Sequence, residues 1–373
     1  MKLFYLDSGR MPTEKAHGYQ IMKMCEAFAE AGHDVTLGIS SRKNEIKTDP
    51  FEYYDVKPVF RIKRIWSIDA VNILPKYGSW ISRFSFLLAG KSYLFFQGYD
   101  CLYTRELMIG LVFRDFVLEV HDLPENARST DLRMWQKARR VIVITRALKA
   151  GLVGLGIAEQ KILVAADGVD LEKFKVQSEK LKVREELGLP QDKKLVMYTG
   201  HLYEWKGVGV LLEAAKKFQI SNFKFQTQFI FVGGTDDDIK RFKKQAEGLD
   251  NVLILGHKPH SIIPKYLAAA DVLVLPNSAK IAISKYYSSP LKLFEYMAAG
   301  KPIVASDIPS IREVLSEDSA VLVAPDDAAA LAEGIRRVFG DPALAGRIAD
   351  RAQTEAGRYS WTARAQNILD FLV

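Results

Sequence analysis

Short apolar runs alternate with stretches of helical periodicity from one end of the chain to the other. Residues 3–7 read as a strand. Residues 18–31 read as a helix, with Ile21, Met24, Cys25 and Phe28 at helical spacing and Gly32 closing it. A strand at 34–39 follows, then apolar strands at 117–120, 141–144 and 162–165, with a helix at 147–155 stopped by Gly156. The pattern then restarts. Strands at 194–198, 229–232, 252–255, 272–275 and 303–305 interleave with helices at 208–218, 264–270 and 290–299. Continuous apolar strands separated by helices specify parallel sheets covered on both faces. Two such series predict an α/β protein of two doubly wound domains, with sites at the C-terminal ends of strands. The polar, Lys- and Glu-rich run from Asp170 to Leu189 marks the break. The expected division is 1–172 with a returning C-terminal helix at 358–373, and 173–357. In that last helix Tyr359, Trp361, Ile368, Leu369, Phe371 and Leu372 need a surface to cover.

Composition narrows the class. The chain has 373 residues, 48% hydrophobic and 26% charged, which excludes a disordered or fibrous chain. Two cysteines far apart, Cys25 and Cys101, argue against a disulfide framework or a Cys-based zinc site, and fit a reducing compartment. No segment approaches the ~20 apolar residues of a membrane span. The nearest, 84–96, is interrupted by Lys91. The N-terminus lacks a signal-peptide pattern and reads as a first strand, so the expected location is the cytoplasm.

Charge is unevenly spread. Of the net +7, residues 1–161 hold +6, from 24 Lys and Arg against 18 Asp and Glu. Between Lys57 and Lys91 lie seven bases and one acid, Asp69, interleaved with Trp66, Tyr77, Trp80, Phe84 and Phe86. Such interleaving suits an anionic membrane surface at the inner face. The alternative is a solvated basic face over ordinary core aromatics. No nucleic-acid motif accompanies the charge, so nucleic acid is not an expected partner.

Two segments look chemical. In Ser288-Ser289-Pro290-Leu291-Lys292-Leu293-Phe294-Glu295, the Ser-Ser-Pro start places Pro290 at the first helical position. The exposed N–H groups of such a start bind anions. Lys292 in the first turn opposes the helix dipole, so a bound anion gives it a reason to be there. Glu295, about one turn on, can accept bonds from vicinal hydroxyls. The second segment, Tyr198-Thr199-Gly200-His201-Leu202-Tyr203-Glu204-Trp205-Lys206-Gly207, reads as strand, glycine loop and helix start. Its glycines let backbone approach a ligand, and Lys206 offers a compact charge for a phosphate. The spacing is not that of a P-loop.

Together these segments resemble the C-terminal half of family 4 retaining glycosyltransferases, which have the GT-B fold of two Rossmann-like domains facing across a cleft. The resemblance extends over most of the chain. It includes Ala16-His17-Gly18-Tyr19, Glu119-Val120-His121-Asp122, Asp167-Gly168-Val169-Asp170, Phe231-Val232-Gly233-Gly234 and Tyr266 to Val272. It implies a nucleotide-sugar donor, UDP- or GDP-linked, a glycan or lipid-linked acceptor, and polysaccharide biosynthesis. It implies no cofactor and no required metal. His121, Lys206 and Glu295 are the implied catalytic set: His121 beside the donor sugar, Lys206 on the diphosphate, Glu295 on the ribose. Gly18, Gly200, His201, Ser289, Pro290, Leu291 and Lys292 would line the phosphates. Gly233, Gly234, Gly256, His257 and Lys258 would line the base, and Tyr287 and Ser288 the donor sugar.

Two positions depart from the family pattern. His201 stands where an arginine is usual, and Tyr287 stands where a glutamate is common. Unperturbed histidine titrates near pH ~6.5, which leaves Lys206 to carry the leaving-group charge unless Lys292 compensates. Asp236-Asp237-Asp238 has a D-x-D spacing but opens a helical run, so it reads as an acidic first turn. His257 and His260 read as loop residues. The rival readings are a nucleotide-sugar epimerase of the same fold and a non-catalytic sugar-nucleotide-binding protein. A dinucleotide oxidoreductase would need G-x-G-x-x-G after the first strand, which Leu6-Asp7-Ser8-Gly9-Arg10-Met11 does not supply.

Overall fold

The computed structural model describes residues 1–124, 127–175, 179–219 and 226–372. It divides into two units, Met1–Asp167 with Trp361–Val373, and Gly168–Ser360. In the first unit, seven strands are β1 (Lys2–Asp7), β2 (Asp34–Ser40), β3 (Arg61–Ile65), β4 (Cys101–Thr104), β5 (Val117–Val120), β6 (Arg140–Val143) and β7 (Ile162–Val164). They form one parallel sheet in the order β3-β2-β1-β4-β5-β6-β7. In the second unit, β8 (Lys194–Thr199), β9 (Thr227–Val232), β10 (Val252–Gly256), β11 (Val272–Leu275), β12 (Ile303–Ser306) and β13 (Val321–Val323) form a parallel sheet ordered β10-β9-β8-β11-β12-β13. Counted within each unit, the first six strands follow the doubly wound order of a Rossmann-like sheet. In the second sheet that order reverses between β8 and β11. The carboxyl ends of strands at such a switch point are where ligands bind.

Parallel strands need apolar residues on both faces, and β8 and β9 have them. Val196, Tyr198, Phe229 and Phe231 join Leu211, Leu212 and Phe218 of the helix Val208–Gln219 in one core. Phe218 meets Phe229 edge-on at 5.3 Å, and Phe231 meets Phe242 at 4.8 Å. This core fixes the strand ends whose loops form the candidate site.

The divide falls at Asp167/Gly168 and Ser360/Trp361, rather than at 172/173 and 357/358. Residues 176–178 of the expected break, and Val373 of the expected last helix, lie outside the described residues. The rest of the break is not a linker. It carries the helix Lys180–Glu186, whose buried Arg184 donates to the Ala269 carbonyl at 2.9 Å, the Lys193 carbonyl at 3.0 Å and Asp271 at 2.7 Å. A polar composition conceals this tie, because a guanidinium can be buried once its donors are matched. The C-terminal helix Trp361–Leu372 lies with the first unit, where Trp361 packs edge-on against Tyr19 of the helix Ala16–Glu30, centroids 6.3 Å apart.

Candidate functional site

Three glycines join the carboxyl ends of β8, β9 and β10. Gly200 N–H donates to the Val232 carbonyl at 2.8 Å, and Gly233 N–H donates to the Gly256 carbonyl at 2.7 Å. A Cβ on Gly233 would stand 2.4 Å from the Gly200 carbonyl oxygen, and its φ is 122°. Only glycine satisfies both the close approach and the left-handed backbone. Gly234 and Gly256 continue this rim, with His257 exposed and Lys258 half-buried beyond it. The backbone at three neighbouring strand ends is therefore bare of side chains.

Lys206 ends a short 3-10 turn, Glu204–Lys206, and Gly207 terminates that turn with φ 73°. A Cβ on Gly207 would meet the Pro276 carbonyl oxygen at 1.6 Å, so this turn is wedged against the end of β11. The Trp205 carbonyl anchors it further, accepting from Ser278 N–H at 3.1 Å and from Ser284 Oγ at 3.3 Å. Lys206 Nζ lies 5.1 Å from the Trp205 ring centroid, and His201 stacks on Tyr203 at 4.9 Å. Desolvation lowers the Lys206 ammonium to about 8.

Lys292 is only 7% exposed, and its Nζ has no hydrogen-bond partner among the described residues. It lies 3.7 Å above the Tyr198 ring centroid. A ring face returns ~0.5–2 kcal/mol to a cation, whereas burying an ammonium costs several kcal/mol. Burial wins. It pushes the amine well below its ordinary value, Lys206 nearby pushes it further, and Glu295 opposes.

The helix bearing Lys292 runs Leu291–Ala298, with Pro290 as its N-cap rather than its first helical residue. The N-cap ψ of 125° is extended, which is the conformation that a proline-led helix entrance takes before the first turn. Proline offers no side-chain oxygen, so the N-cap residue leaves the first N–H groups uncapped. Tyr296 fastens the helix to β8: its hydroxyl accepts from Thr199 N–H at 2.8 Å. Glu295 is buried, and its Oε1 is 2.7 Å from His260 Nε2. His260 is thus no mere loop residue. The 3-10 turn His260–Ile262 aims it at the carboxylate expected to hold a ribose. Tyr287 and Ser288 end a π-helical turn, Ile283–Tyr287, where Ser288 Oγ donates to the Ser284 carbonyl at 3.1 Å. Ser289 and Pro290 lead from it, half-buried, into the Lys292 helix. The structure therefore gathers Gly200, His201, Lys206, Lys292 and Glu295 around one switch point.

Residues 179–355 match the model of the family "Glycosyl transferases group 1". The match covers 179–355, most of the second unit, and makes this segment similar to a glycosyltransferase group 1 domain. The chain is similar to the amylovoran biosynthesis glycosyltransferase AmsK of Erwinia amylovora, 29% identical over 255 residues, covering 68% of this chain and 56% of that protein. A D-inositol 3-phosphate glycosyltransferase of Catenulispora acidiphila is 26% identical over 243 residues, covering 62% and 56%. The chain spans about half the length of the curated relatives it matches. Among solved structures, Anabaena HepE in complex with UDP is similar over 100% of this chain and 99% of its own, with a TM-score of 0.78 at 21% identity. WaaG, a glycosyltransferase involved in lipopolysaccharide biosynthesis, matches over 100% and 99% with a TM-score of 0.72 at 14% identity. The two Rossmann-like sheets are those of the GT-B fold.

Within the matched segment, Asp236–Asp238 form the acidic first turn of the helix Asp236–Gln245. Thr235 and Asp238 close a reciprocal capping box, and Arg241 pairs with Asp238 at 2.8 Å.

The first unit holds a second constellation. His121 follows β5, and its Nε2 lies 2.6 Å from Glu119 Oε1. Glu119 is buried. Its Oε1 also accepts from Gln20 at 2.7 Å and from Arg364 at 2.9 Å, and its Oε2 from the Tyr103 hydroxyl. Burial raises the Glu119 carboxyl, but Arg364, His121 and Arg105 together hold it well below the carboxylate range. Burial, then Arg105, lowers His121 to about 4. The imidazole is therefore neutral, with Nε2–H on Glu119 and Nδ1 as its acceptor. Burial raises Asp167 beside them to about 7. Glu119, His121 and Asp167 offer ligand atoms within 4.8 Å of one another. Glu119 nevertheless already has four donors, one a guanidinium, so the set reads as a charge-paired network. Gly18 has a packing reason, since a Cβ there would lie 2.0 Å from the Tyr54 hydroxyl.

Sequence reasoning missed His260, Arg364 and the buried role of Glu119. Glu119 sits in a strand end read only for His121, and Arg364 lies 245 positions away. A lone arginine in an apolar C-terminal helix was the one available signal.

Proposed function

We propose that this chain transfers a glycosyl group from a nucleotide sugar to a glycan or lipid-linked acceptor with retention of configuration, the group 1 domain holding the donor. What carries this reading is the pair of desolvated lysines, Lys206 and Lys292, at the strand-order switch, with Glu295 one turn further along. A diphosphate needs compact positive charge and bare backbone, and a ribose needs a fixed carboxylate. HepE, a neighbour in fold, was solved with UDP-glucose, which favours a UDP-linked donor.

As the glycosidic bond breaks, its electron pair passes to the diphosphate oxygen. A helix terminus stabilises that charge by ~0.3–1 kcal/mol, up to ~2 when partly buried. A charge-assisted hydrogen bond contributes ~1.5–3 kcal/mol. Lys206 is therefore the larger single contributor, with Lys292 beside it. Same-face attack, with the departing phosphate taking the acceptor proton, is what the family resemblance implies. His121, locked in one tautomer by Glu119, would accept a sugar hydroxyl at Nδ1. The lysines supply the charge a metal would bring, so turnover is expected to survive EDTA.

The test is nucleoside diphosphate release from a panel of UDP-, GDP- and dTDP-sugars, with and without acceptor oligosaccharides. Acceptor-dependent release, with an α-anomeric product by NMR from an α-linked donor, is expected. Donor epimerised without release would overturn the transferase reading.

A further inference from the structure

Lys292 is a buried amine with no acceptor beside it among the described residues. Its Nζ is nine-tenths buried, rests on the Tyr198 ring at 3.7 Å and finds no hydrogen-bond acceptor among the described residues. The titratable groups around it come from three sides. Lys206, on the turn after β8, repels an ammonium. Tyr198, on β8, presents its ring face, and its hydroxyl is turned away to the His201 carbonyl at 2.7 Å. Glu295, on the same helix, attracts an ammonium, but its Oε1 is engaged by His260. The Tyr296 hydroxyl is likewise spent on Thr199. Among the described residues, Lys292 thus has one lysine and one engaged carboxylate as its charged neighbours.

We propose that Lys292 stands as the neutral amine in the free protein and takes up one proton when a diphosphate oxygen arrives beside it. This rests on the donor reading above. The balance is simple: the amine lone pair receives a proton from buffer, the resulting ammonium donates to the anion, and no other bond changes. The burial-lowered value of Lys292 has the sign this requires. An always-charged arginine in place of His201 would remove the need for such an uptake, and this chain lacks it. Lys206, lowered only to about 8, remains largely protonated near neutrality and contributes a small part. Donor affinity should then fall by up to ~tenfold per pH unit above neutrality.

Titration calorimetry of the full chain tests this, with UDP-glucose, GDP-mannose and dTDP-glucose as probes. A diphosphate diester has no proton of its own to exchange near neutral pH. At pH 7.0, in PIPES and in imidazole buffers, the heats should differ by an amount matching uptake of about one proton. Lys292→Met, similar in length without a titrating group, should bind at least ~tenfold more weakly with little uptake. Lys292→Arg, if it binds, should do so with little uptake. Binding whose heat is independent of buffer overturns the inference and leaves the donor reading intact. Unchanged uptake in Lys292→Met overturns it too. Absence of binding by all three probes overturns the donor reading and this inference with it.

Discussion

Desolvation moves Lys206 and Asp167 in opposite directions from their ordinary protonation. On the proposed function, Lys206→Ala should lower kcat/KM at least ~tenfold while circular dichroism and Tm stay near native, because the turn is anchored through the Trp205 carbonyl rather than the Lys206 side chain. Near-native turnover would remove Lys206 from the site. Because the Lys206 ammonium is lowered to about 8, its charge is present below that pH and lost above it. The kcat/KM profile, which reports the free enzyme, should therefore fall as pH rises through about 8. Asp167 carries the opposite kind of strain. Its folded value of about 7 lies above its ordinary 3.8, so the folded state holds more protons between them. Stability should fall as pH rises through that window, and the full penalty persists above it. Asp167→Asn should then raise Tm at pH 8 by at least ~2 °C, at roughly 2–4 °C per kcal/mol, and leave it little changed near pH 4. At this scale, Lys206, Lys292 and Glu295 were legible because each breaks a local rule or completes a motif. His260 and Arg364 were not, because their meaning lies in a partner distant in sequence.

The elements were legible where a strand is buried on both faces. The apolar runs of β8, β9 and β11 are unbroken, and the structure places strands there. The sequence pattern was silent on β3, a polar edge strand, Arg61-Ile62-Lys63-Arg64-Ile65, that buries mainly Ile65. It was silent on β13, three residues at the opposite kind of edge, and on the four-residue β4. In β3 the bases Arg61, Lys63 and Arg64 interrupt the apolar signal that marks the other edge strands β7 and β10. The Tyr296 hydroxyl ties the helix Leu291–Ala298 to β8, accepting from both Thr199 N–H and Thr199 Oγ1. Tyr296→Phe leaves the buried Thr199 N–H without that acceptor and should destabilise the second unit by about 1–3 kcal/mol, read as a lowered urea midpoint with unchanged m. No change in midpoint would mean that another acceptor moves in. The glycine rim is the stricter constraint: at Gly233 and Gly207 both φ and the nearest carbonyl exclude a side chain.

At the scale of the whole molecule, each unit has its own sheet, and the C-terminal helix returns to the first. No helix among the described residues is long and apolar enough to cross a membrane. The first unit nevertheless exposes Trp66, Ile73, Tyr77, Trp80, Phe95 and Phe96, with Phe95 83% and Phe96 80% accessible. Several bases of the stretch beside them are engaged by protein groups. Lys57 pairs with Glu30, Arg61 with Asp34 and Arg83 with Glu106, and Lys91 donates to the Val112 carbonyl. If this face meets an anionic membrane, aromatic insertion supplies more than charge. Flotation with anionic vesicles should then be weakened by Lys63→Glu with Arg64→Glu and abolished by Phe95→Ser with Phe96→Ser; equal flotation of all three proteins would end the idea. On the proposed function, the second unit grips a nucleotide-sugar diphosphate at its strand-order switch. A crystal structure of the chain soaked with its tightest-binding nucleotide sugar tests it most directly. The expected result has diphosphate oxygens within about 3 Å of both Lys206 and Lys292 Nζ, and the ribose hydroxyls on Glu295. A nucleotide seated elsewhere, with both lysines untouched, would contradict it.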